Sequence, residues 1–357
     1  MRTFVRTGAY NRYDKAPLGK LTEYEKKRDA ARTNEPFGDG SEGKKGALRG
    51  RFVFHQHAAT NLHWDLRLEI DGVLTSFAVP KGPSLDPEVK HLAVHTEDHP
   101  IEYLDFEDVI PEGNYGAGPM IVWDRGTVAY LEGPAEEEVK NGKIDFFLRG
   151  QKLRGRFALV KLKKEKSQWL LFKKRDDYAT GDSIDELNRS VLSGMRVEEL
   201  AHRDEIEAKI IAHAKRAGAK AATPPPLPRV ATLRKGGANE WKSKPNDFID
   251  MQITGARVLI VKSGESTKIF SAEWQGTSAP IELSHLCPEL TRSMAALPLD
   301  SFAMEGEIVV FDDHGYGDIS LLRARATDES APLDLSLTIS DALFLGPLDM
   351  RDRKSVV

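Results

Sequence analysis

Residues 61–72, NLHWDLRLEIDG, alternate strictly between apolar and polar positions. Every second residue from Leu62 onward is apolar, and the residues between them include His63, Asp65 and Arg67. A period of two is the pattern of a β-strand, because successive side chains of a strand point to opposite faces. The pattern therefore predicts a strand with one apolar face and with a histidine, a carboxylate and a guanidinium side by side on the other.

Comparable alternating or β-branched runs, broken by turn sequences, continue from residue 51 to residue 178. The runs include RFVFHQH, VLTSFAVP, LAVHTE, PMIVWDRGTVAY, KIDFFLRG, GRFALVKL and QWLLFKK, and the breaks include PKGP, EDHP and PEGNYGAG. Many short strands at near-regular spacing are typical of an all-β barrel or sandwich. We therefore assign residues 21–180 to one all-β domain that begins with a short helix in LTEYEKKRDAAR.

Three further regions have different patterns. Residues 1–20 are polar and predict a flexible arm. Residues 181–228 predict one or two charged helices that lead into a stiff linker closed by PPPLP. Strand-like runs return between helical stretches in residues 229–357, which indicates an α+β domain.

The composition is that of a globular protein, with 40% hydrophobic and 30% charged residues among 357. The net charge of −4 does not by itself indicate a nucleic-acid-binding protein. The single cysteine, Cys287, excludes an intramolecular disulfide and a cysteine-based zinc site, as expected in a reducing cytosol. No apolar run is long enough to span a membrane, and no secretory signal is evident, so we expect a cytoplasmic protein.

Histidines are concentrated in the predicted all-β domain. Six of the ten lie between residues 54 and 100, and His57 precedes His63 with the same parity along the chain. Two imidazoles and a carboxylate form an open metal site, whereas the permanent cation of Arg67 suits phosphate oxygens. The alternative for this segment taken alone is a solvated strand face without a ligand.

The ordered motifs HxxxxxHxDxRLE, VPKGPSLDP, EDHPxxY and IPEGxYGAG resemble the 3′-phosphoesterase domain of bacterial DNA ligase D over roughly residues 20–180. The resemblance implies a closed β-barrel with a manganese-dependent site. It also implies an enzyme that removes a 3′-terminal ribonucleoside from a primer strand and then the remaining 3′-phosphate, which leaves a 3′-OH.

The resemblance also implies roles for individual residues. By position, His57, His63 and Asp65 would bind the metal ion. Arg67 and His99 would contact the scissile phosphate, with His99 as the candidate proton donor to the leaving group.

Three more positions belong to the implied site. Glu97 and Tyr103 match family residues that support the site, by orienting ligands. His91 stands where the family usually has a phosphate-binding arginine, so its weaker, pH-dependent charge puts the second, phosphomonoesterase step in doubt. The alternative for His91 is a loop histidine without a role.

Residues 229–357 resemble, more weakly, the first half of an ATP-dependent DNA ligase adenylation domain. Gln252 stands in place of the nucleophilic lysine, Thr254 in place of the following aspartate, and Ser340 in place of a phenylalanine that packs on adenine. A primary amide cannot form the lysyl-AMP linkage, because its nitrogen lone pair is delocalised. We therefore expect a degenerate, incomplete domain without ligase activity, in which Glu305 and Glu307 have no partner lysine.

Together these patterns predict a metal-dependent enzyme that heals DNA 3′ ends during bacterial double-strand break repair by non-homologous end joining. The expected partners are DNA ends with a 3′-ribonucleotide or 3′-phosphate and end-joining proteins such as Ku, in the nucleoid region of the cytoplasm. Two alternatives stay open. One is a non-catalytic protein that binds DNA ends or a repair complex, and the other is a non-haem metal oxygenase, whose ligand set is also two histidines and a carboxylate.

Overall fold

A computed structural model of the chain describes residues 20–37, 46, 48–163, 165–223, 255–271, 280–310 and 335–351. The chain divides into two compact units, residues 1–202 and residues 203–357. The arm predicted for residues 1–20 lies outside the described residues, apart from Lys20.

Among its described residues, the first unit contains two short α-helices and nine β-strands, besides 3₁₀ turns at Ile101–Asp105 and Val197–His202. The helices are α1 (Thr22–Lys26) and α2 (Ala135–Asn141). The strands are β1 (Arg49–Ala58), β2 (Leu62–Ile70), β3 (Val73–Val79), β4 (Lys90–His95), β5 (Asp108–Ile110), β6 (Gly118–Tyr130), β7 (Lys143–Gly150), β8 (Arg154–Lys161) and β9 (Gln168–Lys173).

Eight of these strands close into an antiparallel barrel in the order β1-β2-β3-β4-β9-β8-β7-β6, and β6 pairs back onto β1. The short strand β5 pairs with the first three residues of β6, 118–120. Closure leaves the eight barrel strands without an open edge. The predicted closed all-β barrel is confirmed.

Apolar side chains from all eight barrel strands form one core. On β2 this core takes Leu66, Leu68 and Ile70, the apolar set of the alternating pattern. Asp65 and Arg67 have the opposite parity and therefore lie on the outer face of the barrel. Both are nonetheless buried, which means that other parts of the chain cover this face.

Two segments of the first unit differ from the sequence prediction. The predicted N-terminal helix is limited to Thr22–Lys26. Residues 181–202 contain a 3₁₀ turn and no α-helix, and they pack on the barrel instead of forming a linker. The cause is apolar burial, since Ile184 joins the barrel core, and Met195 and Val197 pack with Ile121 of β6.

Among its described residues, the second unit has one sheet and two α-helices, together with a 3₁₀ turn at Ser284–Leu286. The sheet order is β10-β16-β15-β14-β11-β12-β13, and these strands pair antiparallel. The elements are α3 (Arg203–Arg216), β10 (Lys220–Ala221), β11 (Ala256–Ser263), β12 (Ser266–Ser271), β13 (Ile281–Glu282), α4 (Pro288–Ala296), β14 (Ser301–Val310), β15 (Leu335–Leu345) and β16 (Leu348–Asp349).

This mixture of helix and sheet confirms the predicted α+β class of the second domain. The Pro-rich segment and Gln252 lie outside the described residues. No helix in the described ranges is both long and apolar enough to cross a membrane.

One buried carboxylate stabilises the turn between β7 and β8. Asp124 of β6 is fully buried, and its two oxygens accept four backbone N–H groups. The donors are Arg125 (2.9 Å), Gln151 (2.9 Å), Lys152 (3.1 Å) and Leu153 (2.8 Å). The carboxylate thereby fixes the turn that joins β7 to β8.

We expect Asp124→Ala to lower the free energy of unfolding by about 3 kcal/mol or more, because each buried donor left without an acceptor costs roughly 1–3 kcal/mol. Urea unfolding followed by circular dichroism measures this change. Asp182→Ala is the control, since Asp182 is exposed and bonds only locally to Thr180. Equal unfolding midpoints for the two variants would contradict the assignment.

Candidate active site

Strand pairing brings the candidate metal ligands together. In the antiparallel β1–β2 pair, His57 lies directly opposite His63, and His55 lies opposite Asp65. The rings of His57 and His63 are 4.9 Å apart between centroids. Donor atoms of His57, His63 and Asp65 all lie within 4.8 Å of one another, which is close enough for one ion to contact all three.

Backbone carbonyls set the orientation of both histidines. The Nε2 atom of His57 lies 2.8 Å from the carbonyl oxygen of Gly116, and Nδ1 of His63 lies 2.9 Å from that of Asn61. A carbonyl only accepts, so these ring atoms carry the proton. The lone pairs then lie on His57 Nδ1 and His63 Nε2, the atoms 3.9 Å and 3.6 Å from the Asp65 carboxylate.

Burial lowers the pKa of His57 to about 4, so its imidazole is neutral at pH 7. A neutral imidazole held by a carbonyl on its outer nitrogen is the usual form of a metal-binding histidine. Three protein ligands leave positions for water or substrate. The chemistry of this donor set therefore fits a divalent metal ion.

Arg67 lies beside these ligands, and its buried guanidinium is hydrogen-bonded to three side chains. Its Nη2 donates to Asp65 at 2.9 Å, its Nε to His55 Nδ1 at 3.2 Å and its Nη1 to Ser76 Oγ at 3.0 Å. The ring of Tyr103 lies 4.7 Å from the guanidinium carbon, which adds a cation–π contact. Arg67 is thus a fixed positive charge next to the candidate metal site.

His99 lies between two guanidinium groups. Its Nδ1 is 2.9 Å from Arg67 Nη1 and also 2.9 Å from the Glu97 carbonyl oxygen, and its Nε2 is 3.3 Å from Arg28 Nη2. Guanidinium groups only donate, and a neutral imidazole accepts at one nitrogen, so His99 cannot satisfy both arginines at once. This shortage of acceptors favours an anion at the same place.

Burial and the charges of Arg67 and Arg28 lower the pKa of His99 well below its ordinary value. The ring is therefore neutral in the free protein at pH 7. A bound anion would offset the two positive charges and raise the pKa of His99 again, which would restore its capacity to hold a proton.

The N-terminal segment supplies residues that the sequence prediction missed. Glu35 accepts hydrogen bonds from Arg28 Nε and from the Tyr103 hydroxyl, both at 2.7 Å. The Glu97 carboxylate pairs with Arg28 at 3.1 Å and with Lys27 at 3.0 Å. LTEYEKKRDAARTNEPFG was part of the resemblance, but nothing in its spacing indicated that Arg28 and Glu35 meet the barrel.

These residues surround a cavity of about 470 Å³. Its lining includes seven of the eight predicted site residues, namely His57, His63, Asp65, Arg67, Glu97, His99 and Tyr103, together with Arg28. His91 is not part of the lining; it lies on β4, where its Nδ1 is 2.6 Å from the carbonyl oxygen of Gly82. Its expected contact with phosphate stays a prediction.

The barrel residues match a known domain family. Residues 55–161 match the family described as DNA Ligase D 3′-phosphoesterase domain. These residues are a DNA ligase D 3′-phosphoesterase domain. The matched range contains every predicted site residue, while Arg28 and Glu35 precede it.

Proteins from several bacteria are similar to this chain. The "Multifunctional non-homologous end joining protein LigD" of Pseudomonas aeruginosa is 34% identical over 342 residues, which are 93% of this chain and 39% of that protein. The protein of the same name from Mycolicibacterium smegmatis is 46% identical over 167 residues, 45% of this chain and 21% of that protein. In Mycobacterium tuberculosis, the "Multifunctional non-homologous end joining DNA repair protein LigD" is 43% identical over 154 residues, 41% of this chain and 19% of that protein.

The chain therefore spans less than two fifths of the length of each of these relatives. The alignment with the Pseudomonas aeruginosa protein is longer than either unit of this chain, so it includes residues of both.

In the second unit, Arg257 of β11 forms an ion pair with Glu305 of β14. Burial raises the pKa of Glu305. Ser340 donates its hydroxyl to the Glu305 carbonyl oxygen at 3.2 Å. Glu305, a residue of the ligase-like pattern, is thus paired with Arg257.

We expect Asp65→Ala to weaken Mn²⁺ binding by more than the roughly 10–100-fold loss typical of removing a group that only orients a ligand. Isothermal titration calorimetry of the metal-free full chain measures the dissociation constant. Glu69→Gln is the matched control, because Glu69 lies on the same strand but pairs with Arg51 at 2.8 Å. Retained affinity in Asp65→Ala would remove Asp65 from the ligand set.

Proposed function

We propose that this protein is a metal-dependent phosphoesterase that heals DNA 3′ ends. It removes a 3′-terminal ribonucleoside and then the 3′-phosphate, which leaves the 3′-OH that a polymerase or ligase requires. The observation that carries the proposal is the hydrogen bond between Arg67 and Asp65, which places an anion-binding guanidinium 2.9 Å from a candidate metal ligand.

The residues that line the cavity have different roles in the proposed reaction. Arg67 and Arg28 neutralise the non-bridging oxygens of the phosphate, where charge accumulates as the ester bond breaks. His99 lies between these two cations and holds a proton once the anion is bound, so it protonates the leaving oxygen. Glu35, Glu97 and Tyr103 hold the arginines and His99 in position. His91 has none of these roles, and we propose it only as an accessory phosphate contact at the PKGP turn.

His57, His63 and Asp65 are the groups that hold the metal ion. Such an ion supplies a Lewis acid for a phosphoryl oxygen and lowers the pKa of a bound water. We propose Mn²⁺ as this ion, on the strength of the family resemblance, since the ligand set itself also suits other transition metals.

The biological setting follows from the relatives, whose names assign them to non-homologous end joining. We propose that this protein acts there on DNA ends, in the nucleoid region of the cytoplasm, together with an end-bridging protein such as Ku. A net charge of −4 means that attraction to DNA has to come from individual cations, and Arg28 and Arg67 are two that line the cavity, each beside a carboxylate.

A primer carrying one 3′-terminal ribonucleotide tests this function. We expect Mn²⁺-dependent shortening of the primer followed by loss of the 3′-phosphate, resolved on a denaturing gel. Asp65→Ala should lower the rate at least about 100-fold, because a catalytic metal supplies several kcal/mol of transition-state stabilisation. Glu69→Gln should act like the unaltered protein.

Shortening that is insensitive to both metal removal and Asp65→Ala would contradict the proposed site. Tight binding of the primer without shortening would support instead a non-catalytic protein that binds DNA ends. Gel-shift measurements on the same primer separate these two results.

We further propose that the second unit does not transfer nucleotides. Gln252 replaces the lysine on which a ligase would carry AMP, and an amide nitrogen is not a nucleophile. The Arg257–Glu305 ion pair supports this proposal, because it engages Glu305, a residue of the ligase-like pattern, with an arginine of the same unit.

Incubation with ATP labelled on the α-phosphate tests the second unit. We expect no label on the denatured protein, with an active DNA ligase as the positive control. Covalent label on the full chain that is lost in Gln252→Ala would contradict the proposal.

A further inference from the structure

Tyr115 is an unusual residue in the cavity wall, because it is aromatic and exposed. The structure leaves nine large apolar or aromatic side chains exposed among its described residues. Two of the nine, Tyr115 at 54% exposure and Leu62 at 47%, line the cavity that also contains Arg67 and His99. An exposed aromatic ring beside an anion-binding site is the combination that binds single-stranded nucleic acids.

The loop that contains Tyr115 is hydrogen-bonded to the candidate metal site. Gly116, the next residue, accepts the hydrogen bond from His57 through its carbonyl oxygen. Asn114, the preceding residue, donates from Nδ2 to the carbonyl oxygens of Pro111 and Arg32, both at 3.0 Å. Gly113 and Gly116 have φ of +83° and +74°, which only glycine adopts without strain. The ring therefore has a fixed place relative to His57.

Two cations lie close to the ring of Tyr115. The Lys27 ammonium lies 4.6 Å from the ring centroid, and the Arg28 guanidinium carbon lies 5.8 Å from it. Both cations are held by the Glu97 carboxylate. A ring that contacts a fixed cation keeps its orientation, and its exposed surface is then available to a planar ligand whose phosphate the neighbouring cations attract.

We propose that Tyr115, with Leu62, is the stacking surface for a nucleobase that adjoins the scissile phosphate. This inference rests on the proposed function and adds to it the part of the substrate that the metal ligands and arginines do not contact. Since every nucleobase has a π-face, stacking would hold the DNA end without selecting its sequence.

Steady-state kinetics of the full chain with Mn²⁺ tests the proposal. On a primer with one 3′-terminal ribonucleotide, we expect Tyr115→Ala to raise KM about 5- to 150-fold, with little change in kcat, from the usual strength of base stacking. Tyr115→Phe and Tyr115→Trp should retain a KM near that of the unaltered protein. Tyr178→Ala is the matched control, because Tyr178 is 42% exposed, lies near a cation (Arg154) and does not line the cavity.

Two abasic primers identify the base that stacks. One lacks the base of the terminal ribonucleotide, and the other lacks the base of the preceding nucleotide. The difference in KM between Tyr115→Ala and the unaltered protein should vanish on one of them. An unchanged KM in Tyr115→Ala, or a difference that persists on both abasic primers, would overturn the proposal.

A binding measurement separates this inference from the proposed function. A primer with 2-aminopurine at the terminal or preceding position is titrated with the full chain in EDTA. We expect stacking to quench its fluorescence with the unaltered protein and with Tyr115→Phe, and Tyr115→Ala and Tyr115→Leu should lose the quenching. Quenching without cleavage in Mn²⁺ would contradict the proposed enzymatic function but support the stacking surface. Cleavage without Tyr115-dependent quenching would support the enzymatic function but contradict the stacking surface.

Discussion

The hydrogen bond from Arg67 to Asp65 joins the two halves of the candidate site. Asp65 is at once a candidate metal ligand and the carboxylate partner of the guanidinium, so the positions of the metal ion and of the anion are coupled. A buried guanidinium costs several kcal/mol unless it is paired and hydrogen-bonded. Arg67 meets this condition on the outer face of a barrel only because His55, Ser76 and Tyr103 surround it.

The need to pair a buried cation also explains why the N-terminal segment folds over the barrel. Arg28 brings a second buried cation, which requires carboxylates, and Glu35 and Glu97 supply them. Tyr24 packs edge-to-face on His99 with 5.0 Å between ring centroids, and its hydroxyl donates to the Pro36 carbonyl oxygen at 2.7 Å. The segment therefore completes the site and, by its burial, lowers the dielectric constant in which the charges interact.

The sequence predicted what depends on local periodicity and on short-range pairing. Alternation in β2 placed Asp65 and Arg67 on one face, and equal parity placed His57 near His63 across the β1–β2 pair. The alternation of side chains along a strand does not tell whether other parts of the chain cover the outer face of a barrel. The burial of the polar face could therefore not be predicted. The contact of Glu35 with Tyr103 joins residues 68 positions apart, and no periodic pattern encodes such a distance. His55, which accepts a hydrogen bond from Arg67, likewise had no role in the sequence prediction.

The electrostatics of His99 show how such a site can respond to its ligand. Burial and two guanidinium groups lower the pKa of His99, since a third positive charge would be repelled. A phosphate between the arginines would offset part of their positive charge and favour the protonated ring. Under the proposed mechanism, proton transfer from His99 would therefore be coupled to anion binding. Glu97 stabilises both states, because its carbonyl oxygen accepts from His99 Nδ1 while its carboxylate holds Arg28.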